Sequence, residues 1–315
     1  MRAGRVTERL WFAGDMTDLA IEHDELRPLM FSIAYRMLGS VSEAEDVVQD
    51  AFLRLHRKLG DGTVLENPAA YATTVTTRIA IDASRSARAR RETYVGPWLP
   101  EPILDDDPVH RIELDETVSA AFLVVMEKLS PVERAVFLLR EVFDYEYAEI
   151  ATIVEKSEAN CRQLLVRAKR HLDTERAPLA SPERQDELAD AFFAALGGGD
   201  LESLERVLSD DITFYGDGGG KAPAVRVPVN GRVAVARFVF GLLRQGDRLD
   251  VRLERTRANG QPAMLLRTGD GRVLGVLIVD VGDDAVVGLR NQINPDKLRH
   301  LGEVGDMFAL LSQPR

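Results

Sequence analysis

The sequence predicts a multi-domain protein in which two all-α domains are followed by an α+β domain. Its 315 residues suit two or three domains of ordinary size. Apolar residues recur with helical spacing in the first half of the chain, whereas strand-like runs bounded by Gly, Asp or Pro follow in the second half. Two stretches rich in Pro and charged residues interrupt the pattern. The predicted order is a leader at 1–20, a helical domain at 21–91, a linker at 92–111, a second helical domain at 112–173, a linker at 174–182 and an α+β domain at 183–315.

Composition limits the class of protein. A hydrophobic content of 45% is sufficient for packed cores. The single cysteine, Cys161, excludes an intramolecular disulfide framework and fits a reducing compartment. The N-terminal stretch MRAGRVTERLWFAGDM lacks the apolar run of a signal peptide, and no stretch approaches the ~20 apolar residues of a membrane span. We therefore expect a cytoplasmic protein with no membrane partner.

Charge is distributed unevenly along the chain. The formal net charge is −11, yet residues 78–91 hold five Arg against one Asp. Residues 161–172 (CRQLLVRAKRHL) hold three Arg and one Lys with no carboxylate. Two basic segments in an acidic background predict two local contacts with anions rather than a protein that coats nucleic acid along its whole length.

The first helical domain contains three predicted helices. Apolar residues from Leu26 to Leu38 recur every three or four positions, and Gly39 ends that helix. Ser42 is expected to cap the second helix, with Glu45 in the capping-box position. Asn67 is the expected cap of the third helix, because a proline follows it at the first helical position.

The second helical domain ends in a predicted helix-turn-helix. Ser130 begins one helix, with Glu133 in the capping-box position. A short helix at 147–154, a turn at 155–157 and a longer helix from 158 to about 172 follow. The apolar side of the last helix is expected to pack inward through Cys161, Leu164, Leu165, Ala168 and Leu172.

The opposite side of the last helix is polar and basic. Its N-terminal residues are small or carry groups that discriminate base edges in the major groove, and its C-terminal cations are suited to phosphates. An ordinary amphipathic helix with a solvated basic face is the alternative. The predicted DNA-binding residues are Ser157, Glu158, Ala159, Asn160, Arg162, Gln163, Arg167, Lys169 and Arg170.

The chain resembles a known family in three segments. These are DVVQDAFLRLHRKL at 46–59, NPAAYATTVTTRIAIDASRSARARR at 67–91 and LSPVERAVFLLREVFDYEYAEIATIVEKSEANCRQLLVRAKRHL at 129–172. In this order and spacing they resemble the σ2 and σ4 domains of group-4, extracytoplasmic-function sigma factors. The resemblance implies that core RNA polymerase, through its β′ clamp helices and β flap, and promoter DNA are the partners.

Three further motifs extend the resemblance over the C-terminal part. YVGPWLPEP at 94–102, YGDGGGK at 215–221 and NPDKL at 294–298 are similar to those of sigma factors with a SnoaL-like extension. The implied fold is a σ2 helical bundle and a σ4 helix-turn-helix followed by an α+β cone of the NTF2-like type.

The resemblance assigns roles to residues of the helical domains. The last helix of σ4 would read the −35 element. Arg78 stands where many relatives have Asn, which affects the −10 sequence that is read. The acidic stretch at 105–107 would either thread toward the RNA channel or form a solvated tether. The implied −10 DNA-binding residues are Asn67, Arg78, Arg85, Arg88, Arg90 and Arg91, and the implied core polymerase-binding residues are Asp46, Gln49, Asp50, Phe52 and Arg54.

The C-terminal domain has three candidate roles. As an in-built regulator it would contact σ2 near the linker through Asp217, Gly218, Gly219, Gly220, Lys221, Asn294, Pro295, Asp296, Lys297 and Leu298. Alternatively it is a sensor that binds a small ligand in its cone. A polyketide-cyclase-like enzyme, with Asp217 and Lys221 as acid–base candidates, is the third role, and no histidine precedes His300 in this domain to support it. We expect a regulator with no enzymatic activity, no cofactor and no metal.

Overall fold

The computed structural model describes residues 16–107, 118–173 and 180–312. Most of the predicted leader, the junction between the first linker and the second helical domain, and residues 174–179 of the second linker lie outside the described residues. Eleven α-helices and a six-stranded sheet lie within the described ranges. No helix among them is long and apolar enough to cross a membrane.

The N-terminal helical domain consists of α1 (Met16–Leu38), α2 (Val41–Gly60) and α3 (Pro68–Arg91). Asn67 caps α3 as predicted, since its side chain accepts a hydrogen bond from the N–H of Ala70. The predicted capping box of α2 is wrong by two residues. Ser40 is the cap, because its hydroxyl accepts the N–H of Glu43, and Ser42 already lies inside the helix.

The helix-turn-helix domain consists of α4 (Ala120–Met126), α5 (Pro131–Glu141), α6 (Tyr147–Val154) and α7 (Glu158–Asp173). The capping box of Ser130 and Glu133 is present at the start of α5, as predicted. Glu155 ends α6 in the left-handed conformation, with a φ of 55°, and redirects the chain into α7. The helix-turn-helix layout predicted from the sequence is therefore confirmed.

The C-terminal domain begins with α8 (Pro182–Gly198) and α9 (Leu201–Val207). Its strands are β1 (Leu208–Asp217), β2 (Val229–Asn230), β3 (Arg252–Ala258), β4 (Gln261–Arg267), β5 (Val273–Val281) and β6 (Val286–Gln292). The helices α10 (Arg232–Arg248) and α11 (Met307–Leu311) complete it. The five predicted strands are present, whereas α10 and the short β2 were not expected.

The sheet of the C-terminal domain is mixed. The strand order is β2-β1-β6-β5-β4-β3, with β1 and β6 parallel and all other neighbours antiparallel. The inner face packs against α8, α9 and α10 around Phe192, Phe214 and Leu289. The outer face carries a second apolar cluster that includes Val276, and Ala120 of the helix-turn-helix domain belongs to it. The strands β4, β5 and β6 are thus mostly buried, whereas most of β3 is exposed.

Residues 92–107, which we call the linker segment, are not a solvated tether. They form no helix, yet Leu99 and Ile103 are 2% and 1% exposed. Leu104 pairs with Ala258 at the end of β3 as an isolated bridge. Asp105 accepts a hydrogen bond from the N–H of Gly260 and is paired with Arg257 at 3.5 Å. The expectation of a flexible acidic connector is therefore wrong for Asp105, whose carboxylate is bonded to the C-terminal domain.

Candidate nucleic-acid interface and interdomain site

Helix α7 presents its predicted DNA-binding side to solvent. Cys161, Leu165, Ala168 and Leu172 are buried, so the apolar side faces the domain as the spacing predicted. Arg162 is paired with Glu158 at 2.8 Å, and its guanidinium lies 4.6 Å from the ring centroid of Tyr147. All nine residues predicted on this side are exposed: Ser157, Glu158, Ala159, Asn160, Arg162, Gln163, Arg167, Lys169 and Arg170.

The arginines of α3 fall into two groups. Arg85 is paired with Asp82 and Arg90 with Glu43. Both side chains are nevertheless exposed, as is that of Arg88. Arg91 differs, because its side chain is only 16% exposed. It donates to the carbonyl of Leu38 at 2.6 Å, is paired with Glu127 and lies 3.7 Å from the ring centroid of Trp98. The expectation that Arg91 holds a phosphate is wrong for this arrangement.

The pKa of Arg91 reflects the same enclosure. Burial and, to a lesser degree, the nearby charge of Arg134 lower the pKa of the guanidinium to about 9, although the carboxylate of Glu43 opposes the shift. The guanidinium therefore joins the end of α1, the linker segment and the residue after α4, through Leu38, Trp98 and Glu127.

Arg78 joins the two helical domains. Its Nε donates to the carbonyl of Ile153 at 2.9 Å, and its Nη2 donates to that of Thr152 at 2.8 Å. Nη1 lies 3.1 Å from the carboxylate of Glu155. These groups form the C-terminal end of α6, where unpaired carbonyls favour a cation. The side chain of Arg78, which was predicted to read the −10 element, is therefore bound to the helix-turn-helix domain.

A buried pair of arginines strengthens that junction. Arg134 of α5 is 2% exposed and donates from Nε to the carbonyl of Arg36 in α1 at 2.9 Å. It is also paired with Glu127, the residue that holds Arg91. Burial lowers the pKa of Arg134 to about 9. The two helical domains share one apolar core that extends from Leu26 to Leu172.

Helix α2 carries the predicted polymerase-binding residues. Asp46, Gln49, Asp50 and Arg54 are exposed. Phe52 is 6% exposed and belongs to the shared core, so the expectation that it contacts a partner is wrong. Its neighbour Leu53 is 46% exposed and lies among the exposed polar residues. Phe52 lies four residues after Val48 and three before Leu55, and this apolar spacing could have assigned it to the core.

The interdomain site is centred on Asp217 at the end of β1. Its carboxylate is completely buried. Oδ1 accepts the hydroxyl of Tyr94 at 2.5 Å, and Oδ2 accepts the N–H of Leu99 at 2.8 Å. The ammonium of Lys297 lies 2.7 Å from Oδ2 and donates to the carbonyl of Leu99 at 2.6 Å. The buried ion pair thus binds the linker segment through the N–H and the carbonyl of Leu99.

Aromatic rings enclose the ammonium of Lys297. It lies 4.4 Å from the ring centroid of Trp98 and 4.8 Å from that of Tyr94. Burial lowers the pKa of Lys297 to about 8, although Asp217 opposes the shift. Burial and the charge of Asp217 raise the pKa of the Tyr94 hydroxyl, which keeps it protonated as a hydrogen-bond donor.

The glycine run after Asp217 permits this close approach. A Cβ on Gly219, whose φ is +55°, would lie 2.2 Å from Asn294 and 2.8 Å from the hydroxyl of Tyr94. Asn294 itself donates to that hydroxyl at 2.8 Å. Lys221 and Asp296 form a surface ion pair that closes the turn. The ten predicted interdomain residues, 217–221 and 294–298, therefore lie together. Asp217, Asn294 and Lys297 among them contact the linker segment, which in turn contacts the N-terminal helical domain.

The linker segment in turn holds the N-terminal helical domain. The carboxylate of Glu101 accepts the N–H groups of Val41 and Ser42 at 2.8 and 3.1 Å and the hydroxyl of Ser40 at 2.7 Å. It thereby caps the N-terminus of α2 from 60 residues away. Local pattern gave no signal for this cap.

A second contact was also missed from the sequence. Asn259, in the turn between β3 and β4, donates to the hydroxyl of Tyr35 at 2.7 Å and to the carbonyl of Val118 at 2.9 Å. Its Oδ1 accepts the N–H of Ile103 at 3.1 Å. The Asn-Gly dipeptide signals a hairpin turn, but nothing local shows that one amide would join both helical domains to the linker segment.

Comparison with known proteins agrees with the domain order. Family models match for Sigma-70 region 2 at residues 23–90, Sigma-70 region 4 at 119–172 and a SnoaL-like domain at 189–290. The ECF RNA polymerase sigma factor SigJ of Mycobacterium tuberculosis is 36% identical over 289 residues, covering 88% of this chain and 92% of SigJ. The chain belongs to the ECF RNA polymerase sigma factors.

Solved and curated relatives support the membership of this sigma factor. The crystal structure of M. tuberculosis SigJ has a TM-score of 0.72 and 33% identity, covering 89% of this chain and 98% of that one. The probable ECF sigma factor SigI of the same species is 35% identical over 192 residues, covering 59% of this chain and 65% of SigI. This sigma factor is a transcription initiation factor with a SnoaL-like C-terminal domain.

Proposed function

We propose that the C-terminal domain of this sigma factor regulates it in cis. It holds the two helical domains in a closed arrangement that must open when the protein binds core RNA polymerase. The observation that carries the proposal is the position of Arg78. The guanidinium predicted to face the −10 element donates instead to two carbonyls of α6. The closed form and −10 binding therefore compete for one side chain.

The C-terminal domain is placed to control that competition. Asp217 and Lys297 bind the linker segment at Leu99, and Glu101 two residues later caps α2. Asn259 binds Tyr35 of α1 and the carbonyl of Val118, which precedes α4. The amide of Asn259 binds both helical domains, so its geometry is lost if they separate. Asp217, Lys297 and Glu101 hold α2 and the linker segment on the C-terminal domain, so that the contacts favour the closed form together.

In the open form we assign the surfaces as the family resemblance implies. The exposed side of α7 would bind the −35 element, and the helix-turn-helix domain would meet the β flap. Asn67, Arg78, Arg85, Arg88 and Arg90 would bind the −10 region. Asp46, Gln49, Asp50 and Arg54 would contact the β′ clamp helices, with exposed Leu53 as the apolar residue of that surface. The cytoplasmic location and the lack of a cofactor stay predictions.

We assign a regulatory rather than an enzymatic role to the C-terminal domain. Both acid–base candidates have other roles. Asp217 is fully buried, with both oxygens bonded, and Lys221 is paired with Asp296 on the surface. Neither side chain lines the cavity of the domain.

Donor–acceptor fluorescence on the full chain tests the proposal. Dyes at Lys58→Cys on α2 and Val166→Cys on α7, both exposed, would report domain separation in a Cys161→Ala background. Asp217→Asn should lower the transfer efficiency in the free protein and tighten binding to core RNA polymerase. Lys221→Gln is the matched control, because it removes one charge from the same loop but only at the surface. Equal transfer and equal affinity for Asp217→Asn and wild type would refute the regulatory role.

A further inference from the structure

The C-terminal domain encloses a cavity of about 290 Å³ between the inner face of the sheet and α10. Phe214, Met264 and Leu277 line it from three strands, and Phe238 lines it from the helix. This volume is at the lower end of ligand cavities, which run from about 300 to 1,000 Å³. The lining is mainly apolar, so the cavity favours an apolar molecule.

One buried polar atom departs from that lining. The Oδ1 of Asn291 on β6 is buried and accepts no hydrogen bond from any described residue. Asn291 lies two residues after Leu289, a residue of the inner apolar cluster, which places both on the inner face. Its cross-strand neighbours are Gly216 and Leu277. A Cβ on Gly216 would lie 3.2 Å from the side chain of Val225, which is another lining residue. A buried acceptor without a partner is costly unless a donor meets it.

The charged and strongly polar lining residues lie elsewhere. Gln245 and Asp247 are exposed at the C-terminal part of α10, so they border the cavity from the solvent side. A carboxylate there disfavours an anionic ligand, and the apolar interior has no counter-ion for a cation. A neutral molecule fits both conditions.

We propose that this cavity binds a small, neutral, mainly apolar molecule whose hydroxyl or N–H group donates to Oδ1 of Asn291. The proposal assigns a ligand class to a cavity whose walls also form part of the interdomain site. Gly216 and Ile293 line the cavity, and each directly adjoins a residue that binds the linker segment, namely Asp217 and Asn294.

A second wall segment reaches the linker directly. Pro223, Ala224 and Val225 line the cavity and follow the glycine turn. The carbonyl oxygen of Val225 lies 3.7 Å from the position that a Cβ on Gly96 would occupy. A ligand that fills the cavity therefore stabilises the wall against which the linker segment packs. This coupling rests on the proposed regulatory function, whereas binding itself does not.

Binding is tested on the full chain with a matched pair of probes, 2-naphthol and its methyl ether. The two share an aromatic body, but only the naphthol donates a hydrogen bond. Calorimetry should show saturable binding of 2-naphthol, roughly tenfold tighter than of the ether, which corresponds to about 1.4 kcal/mol.

Two variants test whether the probe binds in this cavity. Asn291→Leu should abolish the preference for the naphthol while the ether still binds. Leu253→Trp, at a partly exposed lining position, should weaken both probes by filling the space. Absence of saturable 2-naphthol binding to the wild type would overturn the proposal. So would an equal affinity for the two probes, or a preference that survives in Asn291→Leu.

The coupling is tested with the dye pair on α2 and α7. Saturating 2-naphthol should raise the transfer efficiency and weaken binding to core RNA polymerase, with no such effect in Leu253→Trp. If 2-naphthol binds and Asp217→Asn opens the protein, but the probe leaves the transfer unchanged, the coupling is wrong and the regulatory function stands. If Asp217→Asn fails to open the protein, the regulatory function is wrong, and the calorimetry decides the ligand site by itself.

Discussion

Asp217 and Lys297 form an ion pair with 2.7 Å between Oδ2 and Nζ, and the two side chains bind the N–H and the carbonyl of the same linker residue, Leu99. A buried pair of charges is costly to desolvate, and its net contribution to stability is often small. Here the pair also satisfies backbone groups of a segment without helix or strand, at the point where the linker segment meets the C-terminal domain. Its role is therefore to fix the position of the linker segment.

Removal of one partner should be more harmful than removal of both. Lys297→Met removes the cation beside the buried carboxylate of Asp217 and also the donor to that carboxylate and to the carbonyl of Leu99, which should lower the free energy of unfolding by about 3–5 kcal/mol. The double variant Asp217→Leu and Lys297→Met should recover part of that loss. Chemical denaturation of the full chain measures both, with Lys221→Ala as a surface control expected to cost less than about 1 kcal/mol. A double variant as unstable as the sum of the singles would contradict this.

The lowered pKa of Lys297 predicts a pH dependence. The folded chain releases the proton near pH 8, whereas the unfolded chain releases it near 10.5. Between these values the unfolded chain binds more protons, so the contribution of Lys297 to the free energy of unfolding rises with pH. Asp217, Glu101 and Arg91 act on the same ammonium, and Asp217 and Glu101 oppose the shift.

Denaturation between pH 7.5 and 9.5, a range of about two units around the lowered pKa, measures this contribution. The stability of the wild type relative to Lys297→Met should increase across the range. The comparison with the variant removes titrations that both proteins share. A difference that stays constant or falls with rising pH would show that Asp217 outweighs burial.

Arg78 predicts a specific effect on domain separation. Arg78→Ala removes two hydrogen bonds and one ion pair to the end of α6, so the free protein should open and the dye pair on α2 and α7 should report lower transfer. Arg85→Ala is the matched control on the same helix, because Arg85 pairs only with the exposed Asp82 among the bonds described. Equal transfer in the two variants would mean that Arg78 does not stabilise the closed form.

Phe52 and Leu53 separate stability from partner binding. Phe52→Ala should lower the free energy of unfolding by about 3–5 kcal/mol, since the ring is buried in the shared core. Leu53→Asp should leave stability within about 0.5 kcal/mol, because the side chain is half exposed. The same change should weaken binding to core RNA polymerase, measured by fluorescence anisotropy. Wild-type affinity in Leu53→Asp would remove this residue from the proposed surface.

The sequence predicted features whose signals are local. The caps at Asn67 and Ser130 and the helix-turn-helix follow from residues three or four positions apart. The error at Ser42 concerns two serines only two positions apart: Ser40 is the cap, Ser42 is the second residue of α2, and the carboxylate of Glu101 accepts both hydroxyls. Spacing alone cannot choose between two serines whose hydroxyls both donate to a carboxylate about 60 residues away.

The interdomain site was predicted only in part for the same reason. The motifs around Asp217 and Lys297 came from family resemblance, and the structure brings them together. The burial of Arg91 and the bonds of Arg78 depend on the position of the helix-turn-helix domain. Positive charge in a segment predicts an anionic contact, but it does not tell whether the anion is a phosphate or a carboxylate of another domain.

The exposed side of α7 supports a last prediction about promoter reading. Arg162 is held by Glu158 and by the ring of Tyr147, so its guanidinium is oriented near the N-terminus of the helix. Such a residue is suited to a base edge, whereas Arg167 lies farther along the helix and is suited to a phosphate. Arg162→Ala should therefore relax the preference at one position of the −35 element by about 1–3 kcal/mol.

Arg167→Ala should act differently. It should weaken all promoters alike and reduce the slope of log affinity against log salt by about 1. Binding of both variants, each in complex with core RNA polymerase, to a set of single-substituted promoters at several salt concentrations distinguishes the two effects. If Arg162→Ala weakens every promoter equally, its guanidinium binds phosphate, and the reading of bases passes to Asn160 and Gln163, the remaining amides exposed on this side.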